Sequence, residues 1–206
     1  MEDIKENFIG EYYIPESTCT KLIDFFNSSD AGTKSSGAVG SNRVDTTIKK
    51  STDLVIQQEE FNKYPVILEY INELEKCTGK YIEEYPYCLQ PGYRFQLSPT
   101  LRLQHYKPNE GYYKYHCERY NLSHRHLVWT TYLNTVNDKG ETEFYYQKIK
   151  VPPKIGKTVI FPAEWMHTHR GVPSPTEEKY IITGWYDFIT STKALFKKGK
   201  MKIWKI

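Results

Sequence analysis

The sequence predicts an α+β fold that is mainly β: a jelly roll or barrel with N-terminal helices packed on its outside. Three observations predict it. From Leu101 onward, short runs rich in tyrosine, threonine and valine alternate with KPNEG, NDKGE, VPPKIG and SPTEE, each of which has turn chemistry. Before that point, two segments carry helical periodicity. At 206 residues, the chain is long enough for one sizeable core and too short for two full domains.

The elements follow in order. Ser17 can cap a helix running to about Asn27, with Leu22, Ile23, Phe25 and Phe26 on its apolar side. The small, polar run SSDAGTKSSGAVGSN, residues 28–42, then breaks any periodicity and reads as a disordered linker or a mobile loop beside a site. A short extended piece over Ser51 to Ile56 precedes a second helix, in which Phe61, Val66, Ile67, Tyr70, Ile71 and Leu74 recur near helical spacing. The predicted strands are LRLQHY, YYKYHC, HLVWTTYL, TEFYYQ, KTVIFP, HTHRGV and KYIITGWYDF. This divides one domain, residues 1–206, into helical support over about 1–92, a β core over about 93–190 and a basic tail over 191–206.

A net charge of +3 is too small to argue for nucleic acid. Lys197, Lys198, Lys200, Lys202 and Lys205 make the tail basic, which is ordinary for a solvated terminus. The N-terminal MEDIKENFIGEYYIPES is acidic and lacks a long apolar core, and no later run reaches membrane-spanning length, so the expected location is intracellular and cytoplasmic. Cys19, Cys77, Cys88 and Cys117 form no CxxC pair and are read as thiols.

Chemistry concentrates in YYKYHCERYN. If the strand there is extended, side chains alternate, so His116 and Glu118 share a side and Cys117 turns away. A His-x-Glu pair needs a third ligand. Only HTHRG lies in a late strand that could fold back beside the first, and within it His167 and His169 share a face. Two imidazoles and a carboxylate make the facial triad of non-haem Fe(II) oxygenases, which leaves coordination positions open. His124 and His126 read as a solvated loop entering a strand. Lys179 opens the final strand ten residues after His169, where a buried cation would need an anion such as a dicarboxylate.

With these residues the chain resembles the 2-oxoglutarate and Fe(II)-dependent dioxygenases, in particular the prolyl 4-hydroxylase group that includes the oxygen-sensing prolyl hydroxylases. The resemblance spans about residues 101–188 and rests on His116, Glu118, His169 and Lys179, with glutamate where the group has aspartate. Tyr106, ten residues before His116, and Tyr132, sixteen after it, resemble tyrosines that reach the cosubstrate. KYIITGWYDF resembles the closing strand, placing Trp185 on the site wall. Tyr113 and Arg125 resemble positions that face the target proline and its backbone. A second departure is Glu141 in GETEF, where the group often has glycine.

The resemblance implies a double-stranded β-helix, or jelly roll, and a metal site of His116, Glu118 and His169. It implies 2-oxoglutarate bound by Tyr106, Tyr132 and Lys179, and substrate met by Tyr113, Arg125 and Trp185. Fe(II), 2-oxoglutarate and O2 would be required, with ascorbate as reductant and succinate and CO2 as co-products. A peptidyl proline is the expected target and a peptide or protein the expected partner, with no membrane or nucleic acid. Two rival readings are a hydroxylase of an amino acid, nucleobase or sugar, and a non-catalytic metal-binding jelly roll, which Glu118 keeps open. No catalytic thiol or acid–base dyad is needed.

Overall fold

The computed structural model describes residues 7–28, 32–40, 43–89, 94–120, 123–189 and 203–204. In chain order it holds β1 Gly10–Tyr13, α1 Glu16–Asn27, β2 Ser35–Ser36, β3 Ala38–Val39, β4 Arg43–Val44, β5 Thr52–Gln57 and α2 Pro65–Glu84. There follow β6 Phe95–Leu97, β7 Thr100–Tyr106, β8 Tyr112–His116, β9 Arg125–Tyr132, β10 Thr142–Phe144, β11 Ile149–Val151 and β12 Lys157–Pro162. The last are β13 His169–Gly171, β14 Lys179–Phe188 and β15 Ile203–Trp204.

Both helices form where periodicity places them, but their starts are set by proline. Ser17 does not cap α1; it lies within the first turn, and Pro15, fixed at φ −59°, offers its carbonyl to the amides of Thr18 and Cys19. In α2, Pro65 occupies the first turn, where a missing N–H costs nothing. Phe61 therefore falls in a preceding 3-10 turn, Gln58–Lys63. The apolar stripe of α2 continues past Leu74 to Cys77 and Tyr81.

Apart from the two-stranded sheet β3-β4, the antiparallel strands make two facing sheets. The larger has the order β1-β12-β9-β14-β7-β5-β2, with β6 pairing the far end of β14 and β15 pairing β6. The smaller runs β11-β10-β13-β8. This is the mainly β, jelly-roll architecture expected. Alternation divides the larger sheet: Leu101, Leu103, Trp129 and Ile182 pack with Leu22, Phe26, Tyr70 and Leu74 of the helices. Val128, Tyr132, Ile181 and Trp185 face the smaller sheet and pack with Phe144 and Phe161. The helices thus stiffen the outer face and leave the space between the sheets for a site.

Several predicted boundaries shift. TEFYYQ is a strand only to Phe144, because Tyr145–Lys148 turns back, with Lys148 at φ 57°, into the unpredicted strand β11. HTHRGV is shortened to β13 because Trp165–His167 forms a 3-10 turn. Within 28–42 the described residues are no linker: β2 pairs β5, and β3 pairs β4 as a small hairpin. The basic residues Lys197, Lys198, Lys200, Lys202 and Lys205 lie outside the described residues.

Gly184 shows how tightly β14 is held. It sits opposite Trp129 in β9, and a Cβ built there would lie 2.4 Å from the indole Cζ2. Trp129 is fully buried against Tyr70, so it has little room to retreat. Gly184→Ala is expected to destabilise the fold by about 1–3 kcal/mol, seen as a lower urea midpoint. An unchanged midpoint would show that the indole can move.

Candidate metal centre

His116 ends β8 and His169 begins β13, and the two are paired in register, which brings their rings to 4.5 Å. After His116 the strand stops and the chain turns, pinned by the amides of Glu118 and Arg119 on the Ala163 carbonyl at 3.2 and 2.9 Å. The turn swings Glu118 back, so that its Oε1 stands 3.4 Å from His116 Nε2 and 3.9 Å from His169 Nε2. One donor atom from each residue lies within 4.8 Å of the others.

The hydrogen bonds settle which nitrogens face this point. His116 Nδ1 meets the Lys114 carbonyl at 3.1 Å and His169 Nδ1 meets that of His167 at 2.9 Å. A carbonyl only accepts, so each Nδ1 carries the proton and each Nε2 turns a lone pair inward. Tyr112 stacks on His116 at 3.7 Å, and Phe161 packs edge-on to His169 at 4.9 Å. Two neutral imidazoles and a carboxylate, oriented by outer partners and converging on one point, fit an Fe(II)-type ion.

In the metal-free protein, burial alone would raise the Glu118 carboxyl, but a hydrogen bond from His116 when its ring is protonated, and the positive charges of His116, His169 and Arg125, hold it down at about 2. Burial, aided by His116, pushes His169 down to about 4. Burial also lowers His126 and His167. An unfolded histidine takes its proton near pH 6.5, before these buried ones do, so acid favours the unfolded chain. Metal-free protein should therefore lose stability as pH falls from 6.5 toward 4, and Glu118 adds a loss below 4.5. Urea midpoints of chelator-treated protein would check this; a profile flat through that range would contradict it.

The triad opens into a cavity of about 320 Å³ between the sheets. Lys179 reaches into it, 4 % exposed, with Nζ on the carbonyls of Gly140 and Val172 at 2.8 and 3.3 Å. Lys49 and Lys157, the other buried lysines among the described residues, each hold a carboxylate at 2.6 Å; Lys179 holds none. Burial lowers it to about 8, against a modest opposing pull from Glu141. Tyr106 lies directly opposite Lys179 in register, its ring 5.1 Å from Nζ and its hydroxyl on Gln104 Oε1. Tyr132 also lines the cavity, its hydroxyl 2.6 Å from that of Thr142. A buried ammonium without a counter-ion, in a cavity that Tyr106 and Tyr132 also line, fits a carboxylate ligand.

The remaining predicted residues divide. Trp185 is in the cavity wall, and its Nε1 donates to Glu118 Oε2 at 3.0 Å. Arg125 donates to the same oxygen at 2.8 Å and to the Glu118 carbonyl, while its guanidinium lies 3.7 Å over the Trp185 ring. The extra methylene of glutamate thus lets one oxygen face the histidines and the other meet Arg125 and Trp185. Tyr113 stands apart: its hydroxyl donates to the Asn109 carbonyl, and β8 alternation gives the cavity to Tyr112 instead.

His167 does not share a strand face with His169. It ends the 3-10 turn, and its Nε2 meets the Asn7 carbonyl at 2.9 Å. Cys117 is not turned fully away, because the strand ends before it. It borders the cavity with Sγ on the Arg119 carbonyl. Burial and Glu118 raise its pKa, which keeps it a thiol. Of the 28–42 segment, Ala38, Val39 and Gly40 reach the cavity rim. Sequence reasoning missed Lys49, Arg102 and Gln104, which also line it. Counting back in twos from Tyr106 would have found the last two.

A family profile described as the 2OG-Fe(II) oxygenase superfamily matches residues 101–187. No curated protein sequence matches the chain. Among solved structures, a Pseudomonas putida prolyl-4-hydroxylase superposes with a TM-score of 0.69 at 19 % identity, covering 90 % of this chain and 96 % of that one. A Trichoplax adhaerens prolyl hydroxylase, in complex with a hypoxia inducible factor peptide fragment, gives 0.69 at 20 % identity, covering 89 % and 85 %. A viral collagen prolyl hydroxylase from Paramecium Bursaria Chlorella virus-1, in a 2OG complex, gives 0.63 at 19 %, covering 88 % and 97 %. With the His-Glu-His cluster and the lysine without a counter-ion inside the matched region, residues 101–187 are similar to the 2OG-Fe(II) oxygenase superfamily, and the chain has the fold of the prolyl 4-hydroxylases it superposes on.

Proposed function

We propose that this chain is a 2OG-Fe(II) oxygenase that hydroxylates an unactivated C–H of a peptidyl proline. His116, Glu118 and His169 hold Fe(II), and Lys179 with Tyr106 and Tyr132 hold 2-oxoglutarate. The observation that carries the reading is one cavity containing both a converging His-Glu-His donor set and a buried lysine that lacks a carboxylate. The proline assignment draws on the named activities of the structural neighbours.

Bound together, iron and 2-oxoglutarate would supply the chemistry that activates O2, one oxygen atom ending on the substrate carbon as hydroxyl and the other in succinate, with CO2 released. The chain's own groups orient and exclude. Lys179 seats the distal carboxylate as a charge partner, and its tie to two carbonyls keeps the ammonium in place. Tyr106 and Tyr132 turn hydroxyl-bearing rings along the same channel. Arg125 and Trp185 fix the second oxygen of Glu118, which holds the first toward the histidines. Val128, Ile181 and Phe161 give the cavity apolar walls that keep water from the reacting carbon. No residue is required as nucleophile or general base.

The test is a mass-spectrometric screen of proline-containing peptides and small metabolites with Fe(II), 2-oxoglutarate and ascorbate. The expected result is a peptide heavier by one oxygen atom on proline, with matching succinate. Succinate release with oxygen on a non-prolyl product would replace the substrate. Absence of succinate release under every condition would sink the enzymatic reading.

A further inference from the structure

The cavity is lined by four cationic side chains, Lys49, Arg102, Arg125 and Lys179. Three have an occupation. Lys49 is ion-paired to Asp53 at 2.6 Å, Arg125 to Glu118 at 2.8 Å, and Lys179 is the cosubstrate seat proposed above. Arg102 is left over. Of the partly buried arginines among the described residues, Arg119, Arg125 and Arg170 each hold a glutamate, and Arg102 holds no carboxylate. Its Nε is buried and has no hydrogen-bond partner. A guanidinium N–H taken from water without an acceptor is costly and is retained where a ligand supplies one.

Its position says which ligand. Arg102 shares the inner face of β7 with Gln104 and Tyr106, and it pairs across the sheet with Thr183, whereas Tyr106 pairs with Lys179. Four residues of strand put about 13 Å between the two cations' backbones, longer than a five-carbon dicarboxylate. Arg102 stands at the Trp185 end of the cavity and Lys179 at the Tyr106 end. Arg102 borders the Trp185 ring at 5.8 Å, the same indole that Arg125 covers at 3.7 Å and that donates to the metal-side carboxylate. An anion on Arg102 would sit beside the indole that also donates to Glu118, close to the metal site.

We propose that Arg102 receives a carboxylate carried by the substrate close to the carbon hydroxylated. The inference deepens the prolyl reading and rests on it for the identity of the reacting ring. The carboxylate belongs either to an acidic residue beside the target proline or to the free α-carboxyl of a C-terminal proline. Both offer the planar acceptor that a guanidinium binds through two N–H groups.

Four peptides test it: an internal proline flanked by aspartate, its asparagine counterpart, a C-terminal proline as free acid, and its amide. Binding is measured calorimetrically on Fe(II)- and 2-oxoglutarate-loaded protein without oxygen, then turnover in air. At least one acid should bind more tightly than its neutral counterpart by about ten- to hundredfold; which pair discriminates names the source of the carboxylate. Arg102→Met should bring that ratio close to one, and Arg102→Lys should restore part of it, which a folding defect would not. Equal binding within both pairs, a ratio unaltered in Arg102→Met, or no binding of any peptide overturns the proposal. So does a rise in the KM for 2-oxoglutarate with the ratio intact, since that assigns Arg102 to the cosubstrate. Discrimination in binding with no oxygen placed on proline keeps the carboxylate seat and sinks the prolyl reading alone.

Discussion

Replacing His169 with alanine is expected to strip iron from the protein and remove turnover, while His167→Ala keeps both. The two histidines are separated by one residue, yet only His169 turns its Nε2 toward Glu118 and His116. His169 is buried among Phe144 and Phe161, with its Nδ1 held by the His167 carbonyl. Losing an outer partner of a metal ligand costs about 10–100-fold in affinity, and losing one of three ligands should cost at least about a hundredfold. His167→Ala removes a hydrogen bond to Asn7 and some packing, worth about 1 kcal/mol of stability, and leaves the backbone carbonyl that orients His169. Metal content after purification with Fe(II), read beside succinate formation, checks the pair. Iron kept by His169→Ala and lost by His167→Ala would mean the distal ligand is misassigned.

The metal cluster was legible because its logic is local. A one-residue gap in YYKYHCE and a histidine-rich late run carry the donors, and the spacing from His169 to Lys179 follows the length of one strand connection. Strand β14 was legible for a similar reason: ten residues of β-forming character leave little alternative. The strands β1, β6 and β11 were not, since each has three or four residues and is a strand only through its partner, β12, β14 or β10. Tyr113 lies off the cavity wall because the site side of β8 is set by parity with His116, which selects Tyr112. The ties of Arg125 and Trp185 to Glu118 join residues 7 and 67 positions apart, and pairing of that range is a product of the fold and leaves no mark in a motif. Arg102 is the intermediate case: its face could be counted from Tyr106, but its lack of a carboxylate is visible only once every neighbour has a place.

Lys179→Met is expected to damage cosubstrate binding without damaging the fold, and the opposed signs are what make it informative. In the folded protein the ammonium is almost wholly out of water and has two carbonyl acceptors but no counter-ion. That is a cost to stability, and an apolar side chain of similar length removes it, so the thermal midpoint should hold or rise. For 2-oxoglutarate the loss of a charge-assisted bond should raise KM by about ten- to hundredfold. The wild type offers an independent check through pH. Burial holds Lys179 at about 8, so the charged form that a carboxylate needs is in place below pH 8 and fades above it. KM for 2-oxoglutarate should be level up to that point and then climb about tenfold per unit, a break that Lys179→Arg, with its guanidinium charged throughout, should remove. A lysine kept only for packing would give the reverse pattern: a lower midpoint in Lys179→Met and a KM indifferent to both substitution and pH.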